Sequence, residues 1–490
     1  MTQHTTLSDT TAEELAEITS RAALAAEELA GTSLERRATL LEAAAAGIEA
    51  EKDELIVLAH EETNLPEAQL TGEVARTVNQ LRLFAGVARE GGYLEAILDS
   101  ADPSLTPPRP DVRRMLEPLG PVAVYSASNF PFAFSVAGGD TASALAAGCP
   151  VVVKAHRGHA RLSVRVAEIV SAALQDAGAV AGTFALTQGR VAGEGLVVDP
   201  AIKAAGFTGS IEGGRALFNR ACTEREDPIP FYGELGSINP VVVTRAAAEE
   251  RAGALAEGLL ASFTMGVGQF CTKPGVVLLP RGSSVPEELA ALLSERDGGA
   301  MLTPGIHESF ETGVQGLDAT DGVTLVGRGR ATGEGVAPSA FRVPMESFLK
   351  NAERLTTECF GPTTLLVEYG QESELDQVLE VLPGSLTVSV HGTESDHATW
   401  ASRLPRWKKL AGRVVWNGWP TGVAVNNAMQ HGGPWPATTG SLHTSVGATA
   451  IRRFLRPVAY QNMPEELLPE ALRSANPLGI VRRVDGELTR

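Results

Sequence analysis

Up to about residue 90, Ala- and Leu-rich stretches place apolar side chains every three to four positions, the period of amphipathic helices. Thr10 with Glu13, and Thr32 with Glu35, have the spacing of capping boxes ahead of such stretches, and Gly31 reads as a helix stop. The prolines of DPSLTPPRPD (102–111) suit an extended connection instead. From about residue 121 the pattern changes to short apolar runs alternating with helical segments. PVAVYSA, PVVVKAH, TFALTQG and AIKAAGFTGS read as strands; SVAGGDTASALAAG, SVRVAEIVSAALQDAG and EGGRALFNRAC read as helices. Strands apolar on both faces and joined by helices predict a parallel sheet, the doubly wound α/β class. After FYGELGS the pattern restarts with NPVVVT, a long helix to about 263 and GVVLLP, continuing toward 425. This predicts two α/β domains with a junction near 236. Gly-rich, irregular sequence from 417 to 447 reads as loops lining a site.

Length and charge narrow the picture. A chain of 490 residues and 51.3 kDa exceeds what one core usually supports. The net charge of −18 argues against nucleic acid or an anionic membrane as partner, so an anionic ligand would need local basic residues. No apolar run reaches the roughly 18 residues of a membrane span. The start, MTQHTTLSDTTAEELAE, lacks a basic and then apolar leader, and Cys149, Cys222, Cys271 and Cys359 are scattered without zinc-type spacing. A cytoplasmic protein without a metal site is the expectation.

Cys271 lies in GVGQFCTKPG, a loop bare of large side chains apart from Phe270. A thiol in such a loop is either a small buried hydrophobe or a nucleophile that other groups must reach. Glu234 in YGELGS ends a strand at the domain junction, where a carboxylate is either a salt-bridged surface acid or a base for water. Asn129 in SASNFPF is an Asx turn or an oxyanion donor. Lys154 ends PVVVK. Thr208, Gly209 and Ser210 turn from strand into helix without a GxGxxG pattern, at a place where a helix N-terminus suits a phosphate. Glu358 and Phe360 lie in the TECFGP turn.

Together, SNFPF, VVVKAH, FTGS, GELGS, GQFC and ECFGP resemble, in order and across nearly the whole chain, the motifs of the aldehyde dehydrogenase superfamily. LPEAQLTGEVARTVNQLRLFA, QHGGPWPATTGSLHTSVGATAIRRFLRPVAYQNMPEELLPEAL and NPLGIVRRVDGELTR are similar to one branch of it. That branch holds NADP-dependent α-ketoglutaric semialdehyde (2,5-dioxopentanoate) dehydrogenases and a related fatty aldehyde dehydrogenase. The resemblance implies two Rossmann-type domains and a small β oligomerisation element. Residues 1–235 would bind the cofactor, with 105–120 in that element, and 236–430 would carry the nucleophile. Residues 431–475 would return to the cofactor domain, and 476–490 would form an oligomerisation strand of a homodimer or homotetramer.

It also implies roles. Cys271 attacks the aldehyde, Asn129 and the Cys271 N–H hold the oxyanion, and Glu234 activates water to release the acid from a thioester. Lys154 and Glu358 bind ribose, Thr208–Ser210 meet the pyrophosphate, and Phe360 faces the nicotinamide. Arg157 stands where NAD-preferring relatives carry a glutamate, so NADP is favoured with NAD an alternative, and Arg190 is a second phosphate contact. The branch often reads KAHPAHP where this chain has KAHRGHA. His431 in QHGGPW either encourages the thiolate or bonds backbone. The substrate is expected to be 2,5-dioxopentanoate or, alternatively, a fatty or other medium-chain aldehyde. An acyl transfer to coenzyme A would not need Glu234, and a silent homologue need not keep Cys271, Glu234 and Asn129. A charged substrate needs a basic residue in its tunnel; RTVNQLR offers Arg76 and Arg82, and sequence does not choose between them.

Overall fold

The computed structural model describes residues 8–490. Four helices open the chain: α1 (Ala12–Ala30), α2 (Leu34–Ala50), α3 (Lys52–Thr63) and α4 (Glu67–Glu90). The caps differ from expectation by one residue. Thr11 and Glu14 form the reciprocal capping box of α1, and Ser33 accepts the Arg36 N–H at the start of α2. Gly31 ends α1 in a right-handed conformation, so nothing there requires a glycine's freedom at positive φ.

Strands β1 (Ile97–Asp99) and β2 (Val112–Pro118) precede the first parallel sheet. That sheet holds β3 (Val122–Tyr125), β4 (Val151–Lys154), β5 (Phe184–Thr187), β6 (Ala204–Thr208) and β7 (Phe231–Glu234), in the order β5-β4-β3-β6-β7. The helices between successive strands are α5 (Gly139–Ala147), α6 (Ala160–Asp176), α7 (Arg190–Val198) and α8 (Ile211–Thr223). Strand order reverses beside β3, and ligands of doubly wound sheets bind beyond the carboxyl strand ends at such a switch point. Asn129, Lys154, Thr208 and Glu234 all fall at or just past those ends.

The chain crosses to a second sheet at β8 (Val241–Val243), followed by helix α9 (Arg245–Thr264) and β9 (Val276–Pro280). It continues through β10 (Thr324–Arg328), β11 (Ser339–Pro344), β12 (Thr363–Tyr369), β13 (Ser385–His391) and β14 (Ala411–Trp416). The order is β10-β11-β12-β9-β8-β13-β14, parallel except for the β10–β11 edge pair. All of β9 and β13 is buried; the apolar run VVLLP of β9 predicts this, whereas β13 alternates polar and apolar residues in SLTVSVH and is nevertheless covered on both faces.

A third, mostly antiparallel sheet joins distant segments. Its order is β15-β2-β1-β16-β17, with β15 (Leu455–Gln461), β16 (Arg482–Val484) and β17 (Glu487–Thr489). Residues 448–454 pack on α5, and 455–461 pair with β2. One expectation changes here. The C-terminal segment is a hairpin of two short strands, turned at Asp485 (φ 49°) and Gly486 (φ 89°), not one strand. Among the described residues, no helix is long and apolar enough to cross a membrane.

Candidate active site

Helix α9 ends at Thr264 and the chain then turns through Gly266 (φ 55°), Val267 (φ 58°) and Gly268 (φ 67°) to Cys271. A left-handed β-branched valine is strained, and strain of this kind collects at functional loops. The bareness of the loop has a steric cause in addition to access. A Cβ on Gly268 would meet the Gly361 backbone at 2.3 Å, so the segment after Phe360 packs directly on the cysteine loop. Buried Asn239, itself at φ 44°, donates its amide to the carbonyls of Cys271 (2.7 Å) and Lys273 (3.0 Å). Sequence reasoning missed Asn239.

Around the Cys271 sulfur three distant segments meet. His431 Nε2 is 3.6 Å from Cys271 Sγ and 2.9 Å from Glu234 Oε1, and the Ser445 hydroxyl donates to Glu234 Oε2 at 2.8 Å. Glu234, His431 and Ser445 are all buried. The ligand atoms of Cys271, Glu234 and His431 lie within 4.8 Å of one another, a three-donor cluster that linear spacing does not reveal. Such a set can share protons, and it has the donor types of a soft divalent cation site.

The charges fall out from the contacts. Burial by itself would raise Glu234, but the His431 ring, the Ser445 hydroxyl and the Cys271 thiol outweigh it and hold the carboxyl below its usual range. Burial, then the neighbouring Glu234 and Glu358, push the Cys271 thiol well up, with only Arg76 opposing. At rest the site therefore holds a thiol facing a carboxylate, which can take its proton. With Nε2 committed to Glu234, His431 orients that carboxylate. Its Nδ1 is buried without a partner among the described residues.

Asn129 is fixed from two sides. Its amide donates to the Gln269 carbonyl at 2.9 Å, and Glu73 on α4 accepts the N–H groups of Phe132 (2.8 Å) and Ala133 (3.0 Å) just beyond it. An amide has two donors, so one N–H of Asn129 holds the geometry and the other is free for a ligand oxygen. The Cys271–His431 cluster forms one wall of a narrow pocket lined also by Arg76, Phe130, Phe134, Phe270, Thr272 and Val423. Arg76 thus enters the site. Arg82 points away, paired with Glu49 at 2.5 Å on the surface.

On the other side of Glu234 the groups are more open. Thr208 pairs in register with Glu234, and the Gly209 N–H donates to the Glu234 carbonyl at 3.1 Å. Ser210 caps α8 through the Gly213 N–H, which leaves the first-turn N–H groups of that 13-residue helix facing outward. Half-buried Lys154 is shifted down by burial and then by adjacent Arg157. Neither cation has an ion-pair partner within 4 Å among the described residues. An ammonium, a guanidinium and helix N–H groups are the donors a phosphate requires, so this edge fits an anionic dinucleotide. Arg190 stands apart, exposed and paired with Glu194 at 2.7 Å. Glu358 lies over Gly236, where a Cβ would meet its Oε2 at 2.3 Å, and burial pushes it up to about 7. Phe360 is half-buried beside Gly361.

The model of the aldehyde dehydrogenase family matches residues 2–457. The chain is 49% identical over 462 residues to alpha-ketoglutaric semialdehyde dehydrogenase 2 of Azospirillum brasilense, covering 93% of this chain and 88% of the relative. It is 43% identical to the alpha-ketoglutaric semialdehyde dehydrogenase of Acinetobacter baylyi, covering 94% and 88%. A 1-pyrroline-5-carboxylate dehydrogenase from Thermus, solved with bound NAD, shares the fold with a TM-score of 0.78 at 22% identity, covering 91% of this chain and 85% of that one.

Proposed function

Because this chain belongs to the aldehyde dehydrogenase family, we propose that it oxidises 2,5-dioxopentanoate (α-ketoglutaric semialdehyde) to 2-oxoglutarate with NADP. The observation that carries the reading is the meeting of the Cys271 sulfur, the Glu234 carboxylate and the His431 ring within 4.8 Å of one another, with Asn129 bonded to the Gln269 carbonyl two residues before the nucleophile. The two semialdehyde dehydrogenase relatives support the substrate.

Cys271 attacks the aldehyde carbon as its proton passes to the Glu234 carboxylate, forming the S–C bond of a thiohemiacetal. The free N–H of Asn129 and the Cys271 N–H hold the oxyanion, where a fixed donor is worth about 10²–10³-fold in kcat. When bound, oxidised nicotinamide supplies the two-electron acceptor that this oxidation needs. The product on Cys271 is a thioester. Once the thiol proton has passed from Glu234 to solvent, the carboxylate, aimed by His431 and Ser445, takes a proton from water as the water oxygen attacks the thioester carbon; the C–S bond breaks, the thiolate takes that proton from Glu234 and the acid leaves.

Lys154, Arg157 and the first turn of α8 with Thr208, Gly209 and Ser210 would hold the dinucleotide phosphates, and Glu358 and Phe360 would meet its nicotinamide end. The guanidinium of Arg157 beside Lys154 supports a 2′-phosphate and hence NADP over NAD. Arg190 would join only by leaving Glu194. Four free cysteines support a reducing, cytoplasmic setting. The exposed β17 edge strand supports pairing with another copy in a homodimer or homotetramer.

The test is the absorbance of reduced nicotinamide with 2,5-dioxopentanoate, succinic semialdehyde, glutaraldehyde, hexanal and decanal, each with NAD and NADP. The highest kcat/KM is expected for 2,5-dioxopentanoate with NADP. Decanal leading the panel would transfer the reading to fatty aldehydes, and no signal with any pair would end it.

A further inference from the structure

We infer that Arg76 is the specificity residue of this pocket: its guanidinium clamps the carboxylate at the far end of the aldehyde substrate. The inference rests on the proposed semialdehyde reading and names the group that enforces it.

Helix α4 presents Glu73, Arg76 and Gln80 on one face, at the i, i+3, i+7 spacing of neighbours. The outer two brace the Asn129 turn. Glu73 accepts the Phe132 and Ala133 N–H groups, and Gln80 donates to the Ala133 carbonyl at 3.3 Å. Arg76, between them, braces nothing. Its Nε and Nη2 are buried without a partner among the described residues. These two nitrogens form one edge of the guanidinium, the edge that meets both oxygens of a carboxylate. The head group stacks near Phe134 (5.4 Å) and Phe130 (5.8 Å), so aromatic faces rather than acids set its position. Glu73 spends Oε1 on backbone and makes no ion pair with it.

An arginine stays ionised in this setting even though burial lowers it; Glu73, Cys271 and Glu234 oppose that shift from a distance, but none of them bonds its buried Nε–Nη2 edge, and leaving such donors unmatched is costly. An anion arriving in the pocket relieves that cost. The same pocket carries Cys271 and His431. An aldehyde whose carbonyl meets the sulfur therefore lays its tail toward Arg76. A terminal carboxylate satisfies the open edge, whereas an alkyl tail stacks on the phenylalanines and leaves it unmatched. An acid end, not chain length alone, is what this pocket selects.

The experiment compares kcat/KM for 2,5-dioxopentanoate and for pentanal, of equal carbon number, in the native enzyme, Arg76→Met and Arg76→Lys. Inhibition by 2-oxoglutarate is measured alongside. In Arg76→Met the ratio of the two kcat/KM values should fall about 10²-fold, mostly through KM for the acid. Inhibition by 2-oxoglutarate should weaken about tenfold or more. Lys, which keeps the charge and loses the fork, should fall between native and Met, and gives the answer alone if the Met variant does not fold. An unchanged ratio, or equal inhibition of native and variant enzymes, overturns the inference. A native enzyme that oxidises pentanal but not 2,5-dioxopentanoate overturns instead the substrate reading on which it rests.

Discussion

The two sides of Glu234 are built differently. Toward Cys271 the polar groups hold one another: Glu234 is bonded to His431 and Ser445, Asn129 to Gln269, and Asn239 to the Cys271 carbonyl. Toward Thr208 they do not. Lys154 and Arg157 lie together and make no ion pair among the described residues, and Ser210 and Gly209 are exposed. The chemical side is preorganised before any ligand arrives, so charge developing in a transition state meets fixed dipoles. The open side is completed by its ligand, as a site for a diffusible dinucleotide must be. Arg76 is the charged exception on the closed side, since its open edge awaits a partner from the substrate.

If that division is right, damage on one side should leave the other working. Cys271→Ala should abolish aldehyde turnover by several orders of magnitude while nucleotide binding, followed by fluorescence titration, stays near native. Joint loss of both would erase the distinction. Glu234→Gln should give a burst of at most one reduced cofactor per site, formed more slowly than in the native enzyme because the thiol has lost its proton acceptor, and then stall because water is not activated. Steady turnover at the native rate would remove Glu234 from the second half of the reaction. On the open side, Arg157→Glu should shift the NADP/NAD ratio of kcat/KM toward NAD by about tenfold or more, with kcat little changed. An unmoved ratio would show that Arg157 is a solvated surface group.

The strands and the motif order were legible because period and position are local properties. FTGS, GELGS and VVVKAH each end a strand, and in a parallel sheet strand ends share one edge. Local rules failed where two answers are locally equivalent. Thr10 and Thr11 precede Glu13 and Glu14 at the same spacing, and only the fold selects Thr11. The Asp485-Gly486 pair in GIVRRVDGELTR is a hairpin signal that could have split the segment. Arg76 and Arg82 are six residues apart, about 240° around a helix, so one enters the pocket and the other meets Glu49. The His431–Glu234 contact joins positions 197 residues apart, and Ser445 and Asn239 act only through such contacts. Nothing in a linear pattern encodes them.

The smallest expected effect sits where the two sides meet. Glu358 is pushed up to about 7, first by burial and also by the charge of Glu234, against the opposing pull of Lys273 and the Ser237 N–H. In the unfolded chain it titrates near 4.5. As pH rises from 4.5 to 7 the unfolded carboxyl ionises before the folded one. Stability is therefore lost across that window, and the cost is complete above pH 7. Glu358→Gln removes the titration and keeps an acceptor for the Ser237 N–H. The melting temperature of the variant minus that of the native protein should accordingly be larger at pH 8 than at pH 5. A gap independent of pH would mean that Glu358 is solvated like the open edge, and would move the boundary between the two sides inward to Glu234 itself.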